Sequence, residues 1–127
     1  MKAFFEILNF NEKGLIPAII ADVESGRPLT LCYMNRAALE KTLETGKVHL
    51  FRRSKGRLMI KGETSGHIQT VKDVRVDCAG NSLLIFVEQK VAACHVGYFS
   101  CYYRAWDAEK EEWAVVDEKV FDPAEGY

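Results

Sequence analysis

Residues 15–46 read LIPAIIADVESGRPLTLCYMNRAALEKTLETG, and the order of apolar and turn-forming residues in this stretch decides the fold class. Leu15 to Val23 is a nearly continuous apolar run of strand length, Glu24-Ser25-Gly26 is hairpin-turn chemistry, and Pro28 to Met34 is the return strand. Pro28 is tolerated because it stands at the strand's first position, where no ladder hydrogen bond needs its missing N–H. The period then changes. Asn35 is a favourable N-cap, Ala37 and Ala38 favour helix, Leu39 and Leu43 stand one helical turn apart, and Gly46 falls where a left-handed stop belongs.

Working outward, Val48 to Ser54 and Arg57 to Lys61 flank Lys55-Gly56 as a second hairpin, followed by the glycine-bounded loop Gly62-Glu63-Thr64-Ser65-Gly66. Val71 to Asp77 and Ser82 to Gln89 meet at the turn Cys78-Ala79-Gly80-Asn81. Gly97 to Arg104 alternates, with Tyr98, Ser100 and Tyr102 on one face and Phe99, Cys101 and Tyr103 on the other, which predicts another strand. The acidic stretch Asp107 to Glu112 reads as a solvated loop, and Trp113 to Phe121 as the last strand. There is no repeat or linker, so residues 1–127 are expected to form a single α+β domain of mainly antiparallel strands with one clear α-helix.

Of the 127 residues, 48% are hydrophobic and 28% charged, a balance that allows a core without disulfides. Lys+Arg 17 against Asp+Glu 18 leaves a net charge of −1, which argues against nucleic-acid binding through bulk charge. Apolar runs such as Leu83 to Val87 are too short to span a bilayer, and no secretory signal pattern opens the chain, so a cytoplasmic protein is expected. Its four cysteines are then expected as reduced thiols. Cys32, within Leu29-Thr30-Leu31-Cys32-Tyr33, reads as a buried strand thiol, whereas Cys78, Cys94 and Cys101 stand beside polar or turn-forming residues.

Cys94 and Cys101 are separated by six residues, too many for a compact zinc-finger clip yet few enough to meet across a turn. With Cys78 as a third thiol and His95 adjoining Cys94, the chain holds the soft ligands a catalytic zinc requires, although unrelated buried thiols fit the spacing equally. The segment Lys61-Gly62-Glu63-Thr64-Ser65-Gly66-His67 gathers backbone amides, hydroxyls, a carboxylate and an imidazole, a composition suited to phosphate or ribose and also common in surface turns. Lys47, Arg52, Arg53, Lys55, Arg57 and Lys61 form a basic stretch with no acidic residue between them, either a phosphate grip or a solvated hairpin face. His49, between Val48 and Leu50, reads as a satisfied strand histidine.

Eight motifs occur in the order found in one known family. They are Tyr33-Met34-Asn35-Arg36, Leu43-Glu44-Thr45-Gly46, Lys61 to His67, Val71-Lys72-Asp73, Asp77-Cys78, Val87-Glu88-Gln89, Ala93-Cys94-His95 and Ser100-Cys101-Tyr102-Tyr103-Arg104. In these residues the chain resembles the phosphoribosyl-AMP cyclohydrolases of histidine biosynthesis, over roughly Leu15 to Arg104, with Val120-Phe121-Asp122-Pro123 as an outlying match. The resemblance implies hydrolysis of the N1–C6 bond of the adenine ring of phosphoribosyl-AMP by a homodimer with shared sites. It implies zinc held by Cys78 of one subunit and by Cys94 and Cys101 of the other, with His95 moving a proton to N1. It further implies that Lys61, Glu63, Thr64, Ser65 and His67 bind the phosphoribosyl groups and the ring, with Arg53 and Arg104 as further phosphate ligands.

Some positions depart from the family pattern. Where three aspartates usually form a magnesium site, this chain has Asp77, Ala79 and Asn81, so Asp77 and Asn81 are all that remains and tight Mg²⁺ binding is expected to be lost. Phe51 and Met59 replace usual tryptophans, Val96 replaces a threonine, and Phe99 stands where an arginine is usual. Two alternatives therefore accompany the resemblance: a zinc hydrolase of the same fold acting on another purine or heterocyclic ring, and a non-catalytic, zinc-stabilised nucleotide-binding dimer.

Overall fold

The computed structural model describes residues 2–52, 57–61 and 67–122, with backbone alone at residue 52 and residues 57–60. A short helix α1 (Lys2–Glu6) precedes the hairpin of β1 (Ile16–Asp22) and β2 (Pro28–Met34). Helix α2 (Arg36–Thr45), the ribbon β3 (His49–Arg52) and β4 (Arg57–Ile60), the hairpin β5 (Gln69–Val76) and β6 (Leu83–Gln89), and a last small hairpin β7 (Arg104–Asp107) and β8 (Glu112–Val115) follow. The main sheet has the order β2-β1-β6-β5. Each outer strand is antiparallel to its neighbour, whereas the inner pair is parallel, with Ile19 opposite Leu31 on one side and Leu84 on the other. That parallel ladder joins two sequence-local hairpins, and no local pattern announces it.

One face of this sheet carries the core. Ile16, Ala18 and Ile20 of β1, Leu29 and Met34 of β2, and Leu83, Ile85 and Val87 of β6 are buried together with Ala38 and Leu39 of α2 and with Val48. Fully burying one such Ile or Leu contributes about 1.5–3 kcal/mol against roughly 1 kcal/mol for a hydrogen bond, so the alternation along the strands decides the packing and the caps refine it. Those caps lie at the expected residues. Asn35 Oδ1 accepts from Ala38 N at 2.8 Å, and Gly46, at φ 73°, donates its N–H to Thr42 O. The buried Thr42 hydroxyl also accepts from His49 N at 2.9 Å, fastening the helix to β3. His49 Nδ1 lies 2.8 Å from Lys47 O, as a satisfied strand histidine should.

The opposite face is apolar and uncovered. Ile19 is 41% and Leu31 44% exposed, and Leu84 and Phe86 continue the row across the sheet, with the Arg75 guanidinium 5.1 Å over the Phe86 ring. Among the described residues no helix is long and apolar enough to cross a membrane.

Three sequence expectations are corrected. Gly97 to Arg104 is not a strand: the chain reverses at Gly97 (φ 114°), Phe99 O and Tyr98 O accept from Ala93 N and Cys94 N, and Cys101 N donates to Leu29 O at 2.7 Å. Its alternating aromatics mimic a strand, but their carbonyls accept from the amides of Ala93, Cys94 and Val116 in neighbouring loops rather than from a strand ladder, and Arg104 alone joins a strand. Residues Asp107 and Glu112 are strand ends that pair across a turn, in which Asp107 Oδ1 accepts from Glu109 N and Lys110 N. The final strand ends at Val115, because beyond it Val116 N donates to Tyr103 O and Val120 N to Gly97 O.

The N-terminal segment clasps the β5–β6 turn. Asn9 N donates to Gly80 O at 2.8 Å and Asn9 Nδ2 to Ala79 O at 2.9 Å, and a Cβ on Gly80 (φ +74°) would lie 2.1 Å from Ile7 O. Gly26 shares the same φ of +74° with nothing within 4 Å of its would-be Cβ. Gly26→Ala should therefore cost only the left-handed backbone strain, about 1–2 kcal/mol, whereas Gly80→Ala should cost clearly more and release the clasp. Urea unfolding of the two variants measures the difference; equal losses would show that the clasp at Ile7 yields freely.

Candidate active site

The carboxyl ends of β1 and β6 lie side by side because those strands are parallel, and the start of β2 returns beside them. Chain leaving β6 thus carries Cys94 to the place where Cys101 crosses Leu29. Cys94 is buried and Cys101 half-buried, and the two thiols lie close enough for Cys94 to bear on the ionisation of Cys101, so two of the three expected ligands are together. Burial pushes the Cys101 thiol up, with the neighbouring Cys94 adding to it, while the Thr30 hydroxyl and the Lys61 charge oppose. Ser100 Oγ donates to Pro28 O at 2.7 Å and accepts from Tyr102 N at 2.9 Å, which pins the Cys101 crossing to β2.

Lys61, leaving β4, reaches the same end, where its Nζ donates to Ala93 O at 3.0 Å. His67 is buried with its ring edge-on to Phe121 at 4.9 Å, and its carbonyl accepts from Gln89 Nε2 at 3.2 Å. Gln89 in turn accepts from the fully buried Gln69 Nε2 at 2.6 Å. This amide pair, which nothing in the local sequence marks as a positioning device, holds the chain at His67 against the end of β6. Lys61 and His67 bracket the glycine-bounded loop; Glu63, Thr64 and Ser65 of that loop, and Arg53, lie outside the described residues. His95 is exposed in the turn closed by Gly97 N donating to Cys94 O. Arg104 is exposed, its guanidinium 5.2 Å from the Tyr103 ring centre.

Cys78 is elsewhere. It is exposed in the turn before β6, whereas Cys94 follows β6, so the strand's seven residues, about 20 Å of extended chain, keep the two apart. Among the described residues no three His, Cys, Asp or Glu side chains converge as a metal site. Asp77 and Asn81 share the Cys78 turn, where Asp77 accepts from Asn81 N and from Ser82 Oγ, each at 2.8 Å. These bonds, the Asn81 N–H first, hold the Asp77 carboxyl below the usual carboxylate range. Their stabilisation is present above that range and is lost as acid protonates Asp77. Both carboxylate oxygens serve the turn itself.

Cys32 is a buried thiol of the sheet, pushed up to about 12 by burial, against which the Lys61 charge works.

Residues 30–103 match the family model for phosphoribosyl-AMP cyclohydrolase, and the chain belongs to that family. It is 55% identical, over 92% of its length and 87% of the relative's, to a phosphoribosyl-AMP cyclohydrolase of Methanosarcina barkeri. It is 50% identical, over 94% of its length and 86% of the relative's, to the protein of that name from Methanothermobacter thermautotrophicus. A histidine biosynthesis bifunctional protein HisIE of Thermoanaerobacter pseudethanolicus is 44% identical over 100% of this chain and 58% of its own.

Thiol environments predict an order of reactivity in metal-free protein. At about pH 8 a thiol reagent should modify exposed Cys78 first, and Cys32, whose thiolate burial suppresses, only on unfolding. Mass spectrometry of partly labelled protein checks the order; early labelling of Cys32 would contradict its burial.

Proposed function

We propose that the protein is a zinc-dependent phosphoribosyl-AMP cyclohydrolase acting as a homodimer, in which Cys78 of one subunit completes a site with Cys94 and Cys101 of the other. The observation that carries this reading is the separation of the thiols: two meet at one end of the sheet while the third sits at the other. A two-fold axis perpendicular to the strands, stacking the exposed faces around Ile19, Leu31, Leu84 and Phe86, would lay each Cys78 turn over the partner's opposite end. Such a dimer also covers the apolar row left open by the monomer. Identity of 55% over 92% of the chain favours the family's reaction over a hydrolase of another ring or a non-catalytic dimer.

Three thiolates form a soft donor set suited to zinc, and Cys94 and Cys101 lie close together. Bound there, zinc supplies a Lewis acid that brings the pKa of water to about 7. In the overall reaction the oxygen of water bonds to C6, the C6–N1 bond breaks and N1 takes up a proton. His95, which adjoins Cys94 and is exposed, would carry that proton. Lys61, His67 and Arg104, with Arg53, Glu63, Thr64 and Ser65, bind the nucleotide and its phosphates. Asp77 and Asn81, committed to their turn and bearing one carboxylate, make a poor Mg²⁺ site. A cytoplasmic location accompanies the reading, since a reducing compartment keeps the ligand thiols available.

Purified protein should contain about one zinc per chain, and Cys101→Ser or Cys78→Ser should remove both metal and turnover of phosphoribosyl-AMP. A mixed dimer of these two variants has one site with all three thiols, so remixing them should restore about a quarter of wild-type activity. Absence of any recovery, in dimers shown to have exchanged subunits, would overturn the shared site. Turnover should also be indifferent to added Mg²⁺ and to its selective chelation; a steep, saturable Mg²⁺ activation abolished by Asp77→Asn would contradict the assignment.

A further inference from the structure

The β7–β8 hairpin leaves an aromatic face uncovered. Arg104 pairs with Val115 and Trp106 with Trp113, so alternation along the strands puts these four side chains on one face and Ala105, Asp107, Glu112 and Ala114 on the other. Trp106 meets Trp113 edge-on at 5.4 Å, yet Trp113 is still 65% exposed. Beside this face lies a cavity of about 210 Å³, lined among the described residues by Cys101, Tyr102, Arg104 and Trp113.

We propose that this cavity takes the purine ring of the substrate, stacked on Trp113, with Arg104 presenting its charge to the ring's edge. The inference rests on the reaction proposed above, which places the reacting atoms at the Cys94–Cys101 end. Three observations support it. The cavity opens directly at Cys101, where the ring carbon that reacts must come. Its volume is below the roughly 300–1,000 Å³ of pockets that enclose a whole drug-sized ligand, so it suits one ring system with the phosphoribosyl groups outside. Its lining combines an exposed indole with a guanidinium, the pairing that recognises a flat heterocycle by stacking and charge. Trp106 meets the indole at an angle, and most of the Trp113 surface stays open.

The chain has two tryptophans, so Trp106→Phe leaves Trp113 as the sole indole. In that protein, with zinc bound, adenosine monophosphate should quench the remaining fluorescence saturably and ribose 5-phosphate should not. Trp113→Ala should raise the KM for phosphoribosyl-AMP about tenfold, the lower range of what stacking a base on an aromatic ring contributes, with kcat within about twofold and with zinc content and sedimentation unchanged. Trp113→Phe should recover most of the affinity. Absence of quenching together with an unaltered KM would overturn the ring site. So would a Trp113→Ala protein whose only defect is dissociation, since the face would then cover a second copy of the chain. Quenching by the nucleotide in a protein that never turns over phosphoribosyl-AMP would uphold the ring site and sink the reaction.

Discussion

The parallel ladder between β1 and β6 is the constraint on which the site depends. Because β6 runs with β1, the chain leaving β6 emerges where β1 gives way to the start of β2, and Cys94 meets the segment that carries Cys101 across Leu29. With β6 reversed, Cys94 would leave at the far end of the sheet, and the two thiols would stand a strand's length apart. Pairing the inner strands this way needs a long crossover, and α2 with the β3–β4 ribbon fills it. The crossover also delivers Lys61 to the thiols, so one topological choice assembles cation and sulfur together.

Electrostatics at that end are poised between two tendencies. Burial disfavours the thiolate at both Cys32 and Cys101, while the Lys61 charge favours it at each. The deeper Cys32 thiol stays protonated, and at the half-buried Cys101 a hydroxyl donor from Thr30 adds to the pull toward the thiolate.

At the other end, Asp77 spends its carboxylate on the turn and Asn9 clasps that turn from outside. The result is an exposed Cys78 on a base fastened from both sides, as the proposed shared site requires. The departure of Ala79 and Asn81 from three aspartates is compatible with this: the turn has become a structural device built on Asp77, Gly80 and the N-terminal segment.

Much of the architecture was already determined by the sequence. The β1–β2 and β5–β6 hairpins, α2 with Asn35 and Gly46 at its ends, and the β3–β4 ribbon follow from local periodicity and turn chemistry, which act over a few residues. The buried Cys32 and the satisfied His49 were legible for the same reason, and the ordered motifs identified the family. Tertiary structure alone decided the parallel β1–β6 pairing, the amide pair of Gln69 and Gln89, and the fate of residues 97–104, whose alternating aromatics imitate a strand but accept from loop amides. It also decided that Cys78 lies a strand away from Cys94 and that Trp113 borders the Cys101 cavity. These facts depend on which distant backbone groups pair, and spacing along the chain carries no information about that.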